Sequence, residues 1–527
     1  MNAQIDPHHH SVIGQFEALL GAEHVIVDPT EREFYSTDVF RAGKLPLVVV
    51  RPASATQLAE VVKVATSRGL SVVARGGGAS YTDGYTPAEP DAVLVDTSRM
   101  DTILEINERD MYVVVQAGVT WATLNDALKA RGLRTPFFGP FSGIAATVGG
   151  SLSQGTVSWG TGQFGVSGEN VLGIEVVIAN GDIVRTGSWG AANSVPFFRS
   201  YGPDLTGLFM GDCGAFGVKA TIALRLMKRF EHIIGLSFGF RDFESMAAGM
   251  EAAAKEGINL INFALDPRLQ QGQLGKATVA TGITAARAVF RTSRNFFDGM
   301  AQVARIGAAG RGFLKGAVFS AHWLVEGVDA TAARAHAARL RQVLQPHGAE
   351  VANTVPTIAN AMPFMPLFNV RGPKGERWVP LHGILPFSRV NAFRADAVGY
   401  FAERAERMQR YGVDAGAMFM TIGTNAFLYE PAIYWPDVTT INHERLVPPE
   451  HLKTLPKYPP NPEGRALVEE IKYGLADLFQ KHGAVHLQVG KFYPYMRGRD
   501  PGVARALRDL KHLVDPHRRL NPGALGL

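Results

Sequence analysis

Three consecutive glycines after an apolar segment constrain this 527-residue chain more than any other feature. Residues 71–74 (SVVA) predict a short buried strand, which leads directly into Arg75, Gly76, Gly77 and Gly78. Because glycine has no side chain, the backbone N–H groups of such a turn can converge on an anion such as pyrophosphate. The alternative is a tight surface turn. The segment is not a P-loop, since no Lys-Ser/Thr pair follows, and no GxGxxG pattern of a nicotinamide-binding domain opens a helix here.

Composition and charge exclude several classes of protein. Lys and Arg number 53 against 48 for Asp and Glu, and this small excess without a dense basic run argues against a nucleic-acid-binding protein. The single cysteine, Cys213, excludes an intramolecular disulfide and a thiolate site for zinc or iron–sulfur, and we predict no metal site. The sequence shows no secretory signal and no apolar run of about 18 residues. We therefore expect a cytoplasmic protein without a membrane span.

Periodicity in the first part of the chain predicts strands and helices around glycine-rich loops. A length of 527 residues also favours two or three domains. Asn180 and Gly181, between two β-like runs, predict a hairpin, whereas residues 139–168 are rich in glycine and almost without periodicity. We predict strands at residues 47–50, 71–74, 92–96, 102–106, 111–117, 170–177 and 183–185, and helices at residues 56–67 and 121–131.

The middle and the end of the chain follow a different pattern. Helices interleaved with short apolar strands favour an α+β domain, with a sheet covered on one side. Residues 458–462 (YPPNP) interrupt regular structure and indicate a boundary. We predict helices at residues 243–255, 330–345, 394–411, 464–482 and 501–513, and strands at residues 316–320, 378–385 and 417–422.

A second glycine-rich stretch changes the interpretation of the first. Residues 143–151 (GIAATVGGS) are followed by residues 154–155 (QG) and then by residues 170–181 (NVLGIEVVIANG). In this order the segments resemble the FAD-binding domain of the vanillyl-alcohol oxidase and p-cresol methylhydroxylase family. Residues 201–209 (YGPDLTGLF) are similar to a segment of the branch that oxidises 4-alkylphenols, and residues 514–523 are similar to the end of the family's sequences.

The resemblance implies an α+β protein with three parts. Residues 1–230 would form an FAD-binding domain of the p-cresol methylhydroxylase type (core about 45–230), residues 231–465 an α+β substrate or cap domain, and residues 466–527 a C-terminal segment that returns to the FAD domain. The family oxidises small molecules by hydride transfer to flavin N5, with reoxidation by oxygen or a cytochrome-like acceptor, and a homodimer is expected. The implied FAD-binding residues are Arg75, Gly76, Gly77, Gly78, Ala79, Ser80, Thr147, Gly150, Ser151, Gln154, Gly155, Ile174 and Asn521.

The residues that tether FAD in relatives are replaced here, so we expect a non-covalent cofactor. Several relatives attach FAD through a histidine after the glycine turn, and this position is Ala79. The phenol-oxidising branch attaches FAD through a Tyr or His close to an N-x-R-G segment. That position is Phe368, whose ring cannot form the bond. His382 is an alternative attachment residue.

The substrate-binding pattern of the family is altered as well. In the branch that oxidises 4-alkylphenols a Tyr-Arg pair holds the phenolate, and we place His486 and Leu487 at these positions. Without the arginine, the fixed charge that would stabilise a phenolate is missing. The chain also lacks the H-x-G-D-G-N-x-H pattern of 2-hydroxy-acid dehydrogenases in the wider family, which weakens that interpretation too.

Several polar side chains are candidates for proton transfer. His486 would have an unperturbed pKa of about 6.5 and could act as a base at neutral pH. Any candidate could instead be a hydrogen-bonded structural residue. Residues 425–437 (NAFLYEPAIYWPD) are rich in aromatics, which suits an aromatic substrate or an ordinary core strand. The catalytic candidates are His486, Tyr81, His382, Tyr493 and Tyr495, with Tyr85, Glu430 and Lys491 as further polar groups.

Three functional hypotheses follow. The leading one is an FAD-dependent oxidoreductase that removes a hydride from an alcohol or benzylic carbon of an aromatic or phenolic substrate. The second is an FAD-dependent dehydrogenase or oxidase of 2-hydroxy acids or sugar alcohols. The third is a flavin-binding subunit without its own turnover. The sequence fixes neither the substrate nor the electron acceptor.

Overall fold

The computed structural model describes residues 7–270, 318–365, 372 and 374–527. Phe368 and the first residues of the strand predicted at 316–320 lie outside these ranges. None of the described helices is both long and apolar enough to cross a membrane. The α-helices are Pro7–Leu20, Pro29–Ser36, Ala55–Ser67, Trp121–Lys129, Val148–Gln154, Thr161–Phe164, Leu205–Leu208, Phe243–Lys255, Ala330–Leu344, Thr354–Ala361, Val390–Ala402, Ala405–Tyr411, Ile441–Leu446, Pro449–Thr454, Pro462–Lys481 and Pro501–Val514.

The N-terminal part of the chain contains two main sheets and a two-stranded ribbon, Leu133–Arg134 with Met227–Lys228. In the first sheet, strands Val48–Val50, Ala92–Asp96 and Ser71–Arg75 are parallel, and the glycine turn follows Ser71–Arg75. Strands Val48–Val50 and Ala92–Asp96 are buried along their whole length, as expected for strands covered on both faces. Its order is Val25–Ile26, Val48–Val50, Ala92–Asp96 and Ser71–Arg75. The second sheet is antiparallel, in the order Ile103–Asn107, Tyr112–Gln116, Val218–Arg225, Val171–Val177 and Ile183–Arg185.

Helix Ala55–Ser67 positions the glycine turn. It begins at a Ser54 cap, whose side chain accepts a hydrogen bond from the Gln57 amide. Its apolar residues recur every three or four positions and are buried against the sheet. The helix therefore connects strand Val48–Val50 to the parallel strand Ser71–Arg75, which ends at the glycine turn. The buried residues of the helix are Leu58, Ala59, Val61, Val62 and Ala65.

The middle of the chain forms one eight-stranded sheet, called the cap sheet below. Adjacent strands pair antiparallel throughout. Its order is Ala349–Glu350, His232–Phe240, Phe319–Gly327, Asn259–Leu265, Asp414–Ile422, Ala426–Trp435 and Arg377–Pro380, with Gly383–Leu385 also pairing with Ala426–Trp435.

The two faces of the cap sheet have different neighbours. Three helices, Phe243–Lys255, Ala330–Leu344 and Val390–Ala402, cover one face with an aromatic-rich core. The other face packs against Phe138 and Trp159 of the N-terminal part. The predicted α+β class and the helical cover on one side are therefore confirmed, and the second face is turned toward the glycine-rich region.

The C-terminal segment returns to the first sheet, as the resemblance implied. Leu520 forms a parallel bridge with Val72 beside the strand that carries the glycine turn. The backbone N–H of Asn521 donates to the Val72 carbonyl at 2.8 Å, and the backbone N–H of Val72 donates to the Arg519 carbonyl at 2.7 Å. Lys511 supports this return from helix Pro501–Val514 by donating to the Leu520 carbonyl at 2.9 Å.

Several elements differ from the sequence predictions. The single helix predicted at residues 394–411 is two helices, Val390–Ala402 and Ala405–Tyr411, which are separated by Glu403 and Arg404. Residues 378–385 form two short strands separated by Leu381 and His382. The glycine-rich residues 139–168 contain an unpredicted helix, Val148–Gln154. Strands His232–Phe240 and Asn259–Leu265 were also not predicted, whereas strand Ala426–Trp435 agrees with the core strand that was one interpretation of residues 425–437.

Candidate cofactor and substrate site

The two glycine-rich segments meet and form one surface. A Cβ atom added to Gly77 would lie 1.7 Å from the Ala145 carbonyl oxygen, and one added to Gly76 would lie 2.3 Å from Thr147 Oγ1. Thr147 also caps helix Val148–Gln154, because its Oγ1 accepts a hydrogen bond from the Gly150 amide at 3.1 Å. Only a turn without side chains can approach the second segment this closely.

The glycine turn offers unused backbone donors. Within the described residues, no protein acceptor bonds to the amides of Gly77, Gly78, Ala79 and Ser80, although the carbonyls of Gly78 and Ser80 are both bonded. Gly78 has a φ of +69°, and Gly78 and Ser80 are buried. Buried N–H groups in a turn normally find a partner, and an anion is the partner that such a cluster suits. The turn therefore fits the pyrophosphate of FAD.

Arg75 places a positive charge beside this turn. Its guanidinium lies 4.9 to 5.4 Å from the ring centres of Phe34, Tyr35 and Tyr85, and its Nε has no hydrogen-bond partner within the described chain. Tyr85 is buried and its hydroxyl donates to the Gly78 carbonyl at 2.9 Å. Arg75 and Tyr85 thus support the turn from the side of the first sheet.

Other implied FAD-binding residues contact protein atoms. Ser151 Oγ accepts a hydrogen bond from Trp121 Nε1 at 2.8 Å, and Ile174 is fully buried in the second sheet. The Gln154 carbonyl accepts from the Gln488 amide at 2.5 Å. A Cβ atom on Gly155 would lie 2.9 Å from Leu487 Cδ2. The end of helix Val148–Gln154 is therefore in contact with the C-terminal segment that carries the substrate-site candidates.

Asn521 and Lys491 tie the same segment to the glycine turn. Asn521 Nδ2 donates to the carbonyls of Gly84 and Cys213 at 2.8 and 2.5 Å, and its Oδ1 accepts from Lys491 Nζ at 2.6 Å. Lys491 Nζ also donates to the Asp83 and Thr86 carbonyls. All polar atoms of the Asn521 side chain are thus engaged by protein, so its contribution to FAD binding would be to hold the turn in place.

Two histidines and one tyrosine form a compact cluster where the cap sheet meets the C-terminal segment. His486 stacks on Tyr493 with ring centres 3.9 Å apart. Its Nδ1 bonds to the His382 carbonyl at 2.7 Å, and His382 Nε2 bonds to the Leu487 carbonyl at 2.8 Å. Because a carbonyl only accepts, these contacts place the protons on His486 Nδ1 and His382 Nε2. Tyr493 completes the cluster, since its hydroxyl accepts from the His382 amide and donates to the His382 carbonyl.

Burial changes the charge state expected for both histidines. It lowers the pKa of His486 to about 4, against a weaker raising effect of the hydrogen bond to His382. It lowers the pKa of His382 to about 3, with His486 contributing in the same direction. The expectation that His486 titrates near neutral pH is therefore wrong. Both rings are neutral acceptors, and His382 Nδ1 is buried without a hydrogen-bond partner among the described residues.

A glutamate and a tyrosine lie within electrostatic reach of this cluster. Glu430 lies on strand Ala426–Trp435, opposite Met418 of the neighbouring strand. Burial raises its pKa to about 7. The pKa of Tyr81 is raised well above its usual range by burial and then by the charges of Glu430 and Tyr493. Three distant parts of the sequence thus bring Tyr81, Glu430 and Tyr493 within electrostatic reach of one another.

The remaining candidates lie elsewhere. The Tyr495 ring packs under the Arg499 guanidinium at 3.9 Å, so the structure does not bring it into the cluster. Glu430 was only a further polar candidate in the sequence analysis, and the feature that distinguishes it is an acidic residue within an aromatic strand.

Gln488, which hydrogen-bonds the Tyr81 side chain, was missed because a glutamine between apolar residues has no distinguishing pattern. Within the described ranges, no group of His, Cys, Asp or Glu could hold a metal ion.

Comparison with known proteins agrees with the prediction that the cofactor is FAD, and it does not identify the substrate. The "FAD binding domain" family model matches residues 46–187. An uncharacterized FAD-linked oxidoreductase of Mycobacterium tuberculosis is 28% identical over 247 residues, 46% of this chain and 52% of that protein. A mitochondrial D-lactate dehydrogenase [cytochrome] of Arabidopsis thaliana is 29% identical over 274 residues, 51% of this chain and 46% of that protein. The chain thus spans about half the length of the curated relatives it matches.

Solved structures extend the likeness to the whole chain. The crystal structure of p-cresol methylhydroxylase with substrate bound superposes with a TM-score of 0.73, at 18% identity, and covers 100% of this chain and 98% of that one. At this identity the match establishes the fold. Residues 46–187 are therefore an FAD-binding domain, the cofactor is FAD, and the chain has the p-cresol methylhydroxylase fold.

Proposed function

We propose that this chain is an FAD-dependent oxidoreductase that removes a hydride from the hydroxyl-bearing carbon of an aromatic or other apolar alcohol. The observation that carries the proposal is the His382, His486 and Tyr493 cluster, which offers neutral hydrogen-bond acceptors where the cap sheet meets the C-terminal segment. FAD, when bound, supplies the two-electron acceptor. Its pyrophosphate would lie on the turn at Gly77 and Gly78.

The apolar lining of the cap sheet supports an apolar substrate. Leu428 and Met420 pack with Phe263 on the face toward the N-terminal part, and Met418 borders them. Met418 keeps partial exposure beside these buried side chains, and an aromatic ring packs well against such an apolar group.

The cluster can hold a hydroxyl group without a charged side chain. His486 Nε2 and His382 Nδ1 carry free lone pairs whose orientation is fixed by the carbonyl bonds on the opposite ring nitrogens. Tyr493 fixes the backbone at His382 from both its amide and its carbonyl. Such a pair would line the position of the substrate hydroxyl and help to orient the carbon that loses the hydride.

We also propose that FAD is held without a covalent bond and is reoxidised by oxygen or a cytochrome-like protein. Ala79 cannot form a bond to the flavin, and Nε2 of His382 already donates to Leu487. Acid precipitation would then leave the flavin in the supernatant.

Oxidation of a 2-hydroxy acid is the second candidate, because one relative is named a D-lactate dehydrogenase. Anaerobic mixing of the purified yellow protein with benzyl alcohol, 4-hydroxybenzyl alcohol, D-lactate and glycolate separates the two. We expect an alcohol to bleach the flavin at least about tenfold faster than either acid. If only the acids bleach it, the second candidate replaces the first, and if no compound does, the chain is a flavin-binding subunit without turnover.

A variant tests the cluster itself. His486→Ala should slow bleaching by the best alcohol by roughly 10²-fold, the cost of misplacing a substrate by about 1 Å, and should leave FAD content unchanged. His512→Ala, an exposed histidine of helix Pro501–Val514, is the matched control and should behave like the parent protein. An unchanged rate in His486→Ala would assign the cluster a structural role.

A further inference from the structure

The cluster lacks a base suited to neutral pH. Taking the proton from an alcohol needs a group whose pKa lies near the working pH, because a weaker base gives little driving force for transfer. Burial has lowered the pKa of His486 to about 4 and of His382 to about 3, which makes both rings good acceptors of a hydrogen bond but poor acceptors of a proton.

Glu430 lies within electrostatic reach of Tyr493, a member of the cluster. Within the described residues its carboxyl makes no hydrogen bond or ion pair, whereas Asp266, a buried acid directly after strand Asn259–Leu265 of the cap sheet, accepts from the Leu269 and Ala417 amides. The Glu430 side chain also keeps some accessible surface although protein surrounds it. A buried carboxyl that protein leaves unbonded in this way is available to a hydrogen-bonding ligand or an ordered water.

The position of Glu430 in the sheet fixes the direction in which it faces. Side chains alternate along a strand, and Tyr429 packs on the helical face with Phe393. Leu428, two residues from Glu430, packs on the opposite face with residues of the N-terminal part. Glu430 therefore points toward the FAD domain, from the same face as the apolar lining described above.

The charges around Glu430 leave it able to titrate. The described titratable groups that face it are Tyr81 from the loop after the glycine turn, Tyr493 from the C-terminal segment and Tyr434 from its own strand. All three are neutral near pH 7, since burial raises the pKa of each. With no cation among them to hold the carboxylate ionised, its pKa is raised to about 7 by burial alone.

We propose that Glu430, and neither histidine, takes the substrate's hydroxyl proton and so makes the site selective for uncharged alcohols. The inference rests on the proposed function. The O–H bond breaks with its proton passing to a Glu430 carboxylate oxygen, the C–H bond breaks with its electron pair passing as hydride to FAD, and the C–O bond becomes a carbonyl. FAD, when bound, would supply the two-electron acceptor, with oxygen or a protein carrier as the final oxidant, and the proton would pass from Glu430 to solvent.

The proposal has a consequence for binding that does not depend on turnover. A ligand carboxylate placed beside Glu430 would be repelled by the ionised side chain, so it would bind together with a proton. Benzoate and benzyl alcohol have the same ring and differ in this charge. Perturbation of the flavin absorption spectrum on titration reports binding of either probe to the FAD-loaded protein.

We expect the benzoate Kd to be constant below about pH 7 and to rise about tenfold per pH unit above it, as one proton is taken up on binding. The benzyl alcohol Kd should not change between pH 6 and pH 9. In Glu430→Gln, which keeps the shape of the side chain without its titration, the benzoate Kd should be flat with pH. Asp266→Asn, the matched control, should keep the slope of the parent protein.

The rate of flavin reduction supplies the second measurement. With the fastest alcohol of the panel, the anaerobic rate should rise with pH and level off above about pH 7, and Glu430→Gln should lower it by about 10²-fold or more and remove this dependence. If the benzoate Kd does not change with pH in the parent protein, or still rises with pH in Glu430→Gln, the role of Glu430 is wrong while the proposed function stands. If benzyl alcohol does not perturb the flavin spectrum and no alcohol reduces the flavin, both the proposed function and the role of Glu430 are wrong.

Discussion

At the scale of single residues, burial decides what the candidate side chains can do. His486 has the right residue type for a base at neutral pH, yet burial beside Phe479 and Tyr493 lowers its pKa to about 4, against the weaker raising effect of the hydrogen bond to the His382 carbonyl. The same burial raises the pKa of Glu430 to about 7. The sequence identifies which residues can titrate, but their pKa values depend on how the fold buries them.

Gly77 offers the sharpest test of the cofactor surface. Gly77→Ala adds a Cβ atom 1.7 Å from the Ala145 carbonyl, so the turn must move away from the second loop and lose the arrangement of its free amides. We expect the FAD content of the purified protein, measured as the ratio of flavin to protein absorbance, to fall at least about tenfold.

Gly399→Ala is the control for this change. Its added Cβ atom would meet nothing within 4 Å on helix Val390–Ala402, so FAD content should match that of the parent protein. Full FAD content in Gly77→Ala would mean that the glycine turn does not contact the cofactor.

At the scale of elements, the sequence predicted those whose pattern is local. Strand Ala92–Asp96 and helix Phe243–Lys255 have the predicted bounds, because a buried apolar run and a helical repeat are each visible in a short window. Helix Val148–Gln154 was missed, since two glycines and two serines in seven residues disfavour a helix, and Thr147 together with packing against the glycine turn stabilises it. Strand Phe319–Gly327 overlaps the strand predicted at residues 316–320 only at Phe319 and Ser320, because it is buried throughout and has no alternation that would mark its extent.

The attachment of the C-terminal segment can be tested through Asn521. Asn521→Ala leaves Lys491 and the carbonyls of Gly84 and Cys213 without their partner. We expect the free energy of unfolding, measured by urea denaturation, to fall by about 3 kcal/mol, since each unsatisfied buried group costs roughly 1–3 kcal/mol.

Asn193→Ala is the matched control, because Asn193 shares the left-handed backbone conformation at φ +60° but is exposed. Any cost of placing alanine at positive φ is then common to both variants. Equal losses in the two would show that the side-chain bonds of Asn521 contribute nothing to the attachment.

At the scale of the whole molecule, the candidate site is assembled from three parts of the chain. Tyr81 follows the glycine turn, His382 and Glu430 belong to the cap sheet region, and His486 and Tyr493 belong to the C-terminal segment. Motif order was enough to predict the FAD-binding domain and the return of the C-terminal segment. It could not show that Ile384 and Val485 bridge these parts through paired backbone hydrogen bonds, and this bridge brings the two histidines together.

We propose this junction as the substrate site of an FAD enzyme, and a crystal structure of the FAD-loaded protein with benzyl alcohol would test the proposal. We expect the pyrophosphate on the amides of Gly77–Ser80, no bond between the flavin and His382, and the alcohol between flavin N5 and the group formed by His486 and Glu430. A flavin in that position with the alcohol bound away from His486 and Glu430 would contradict it.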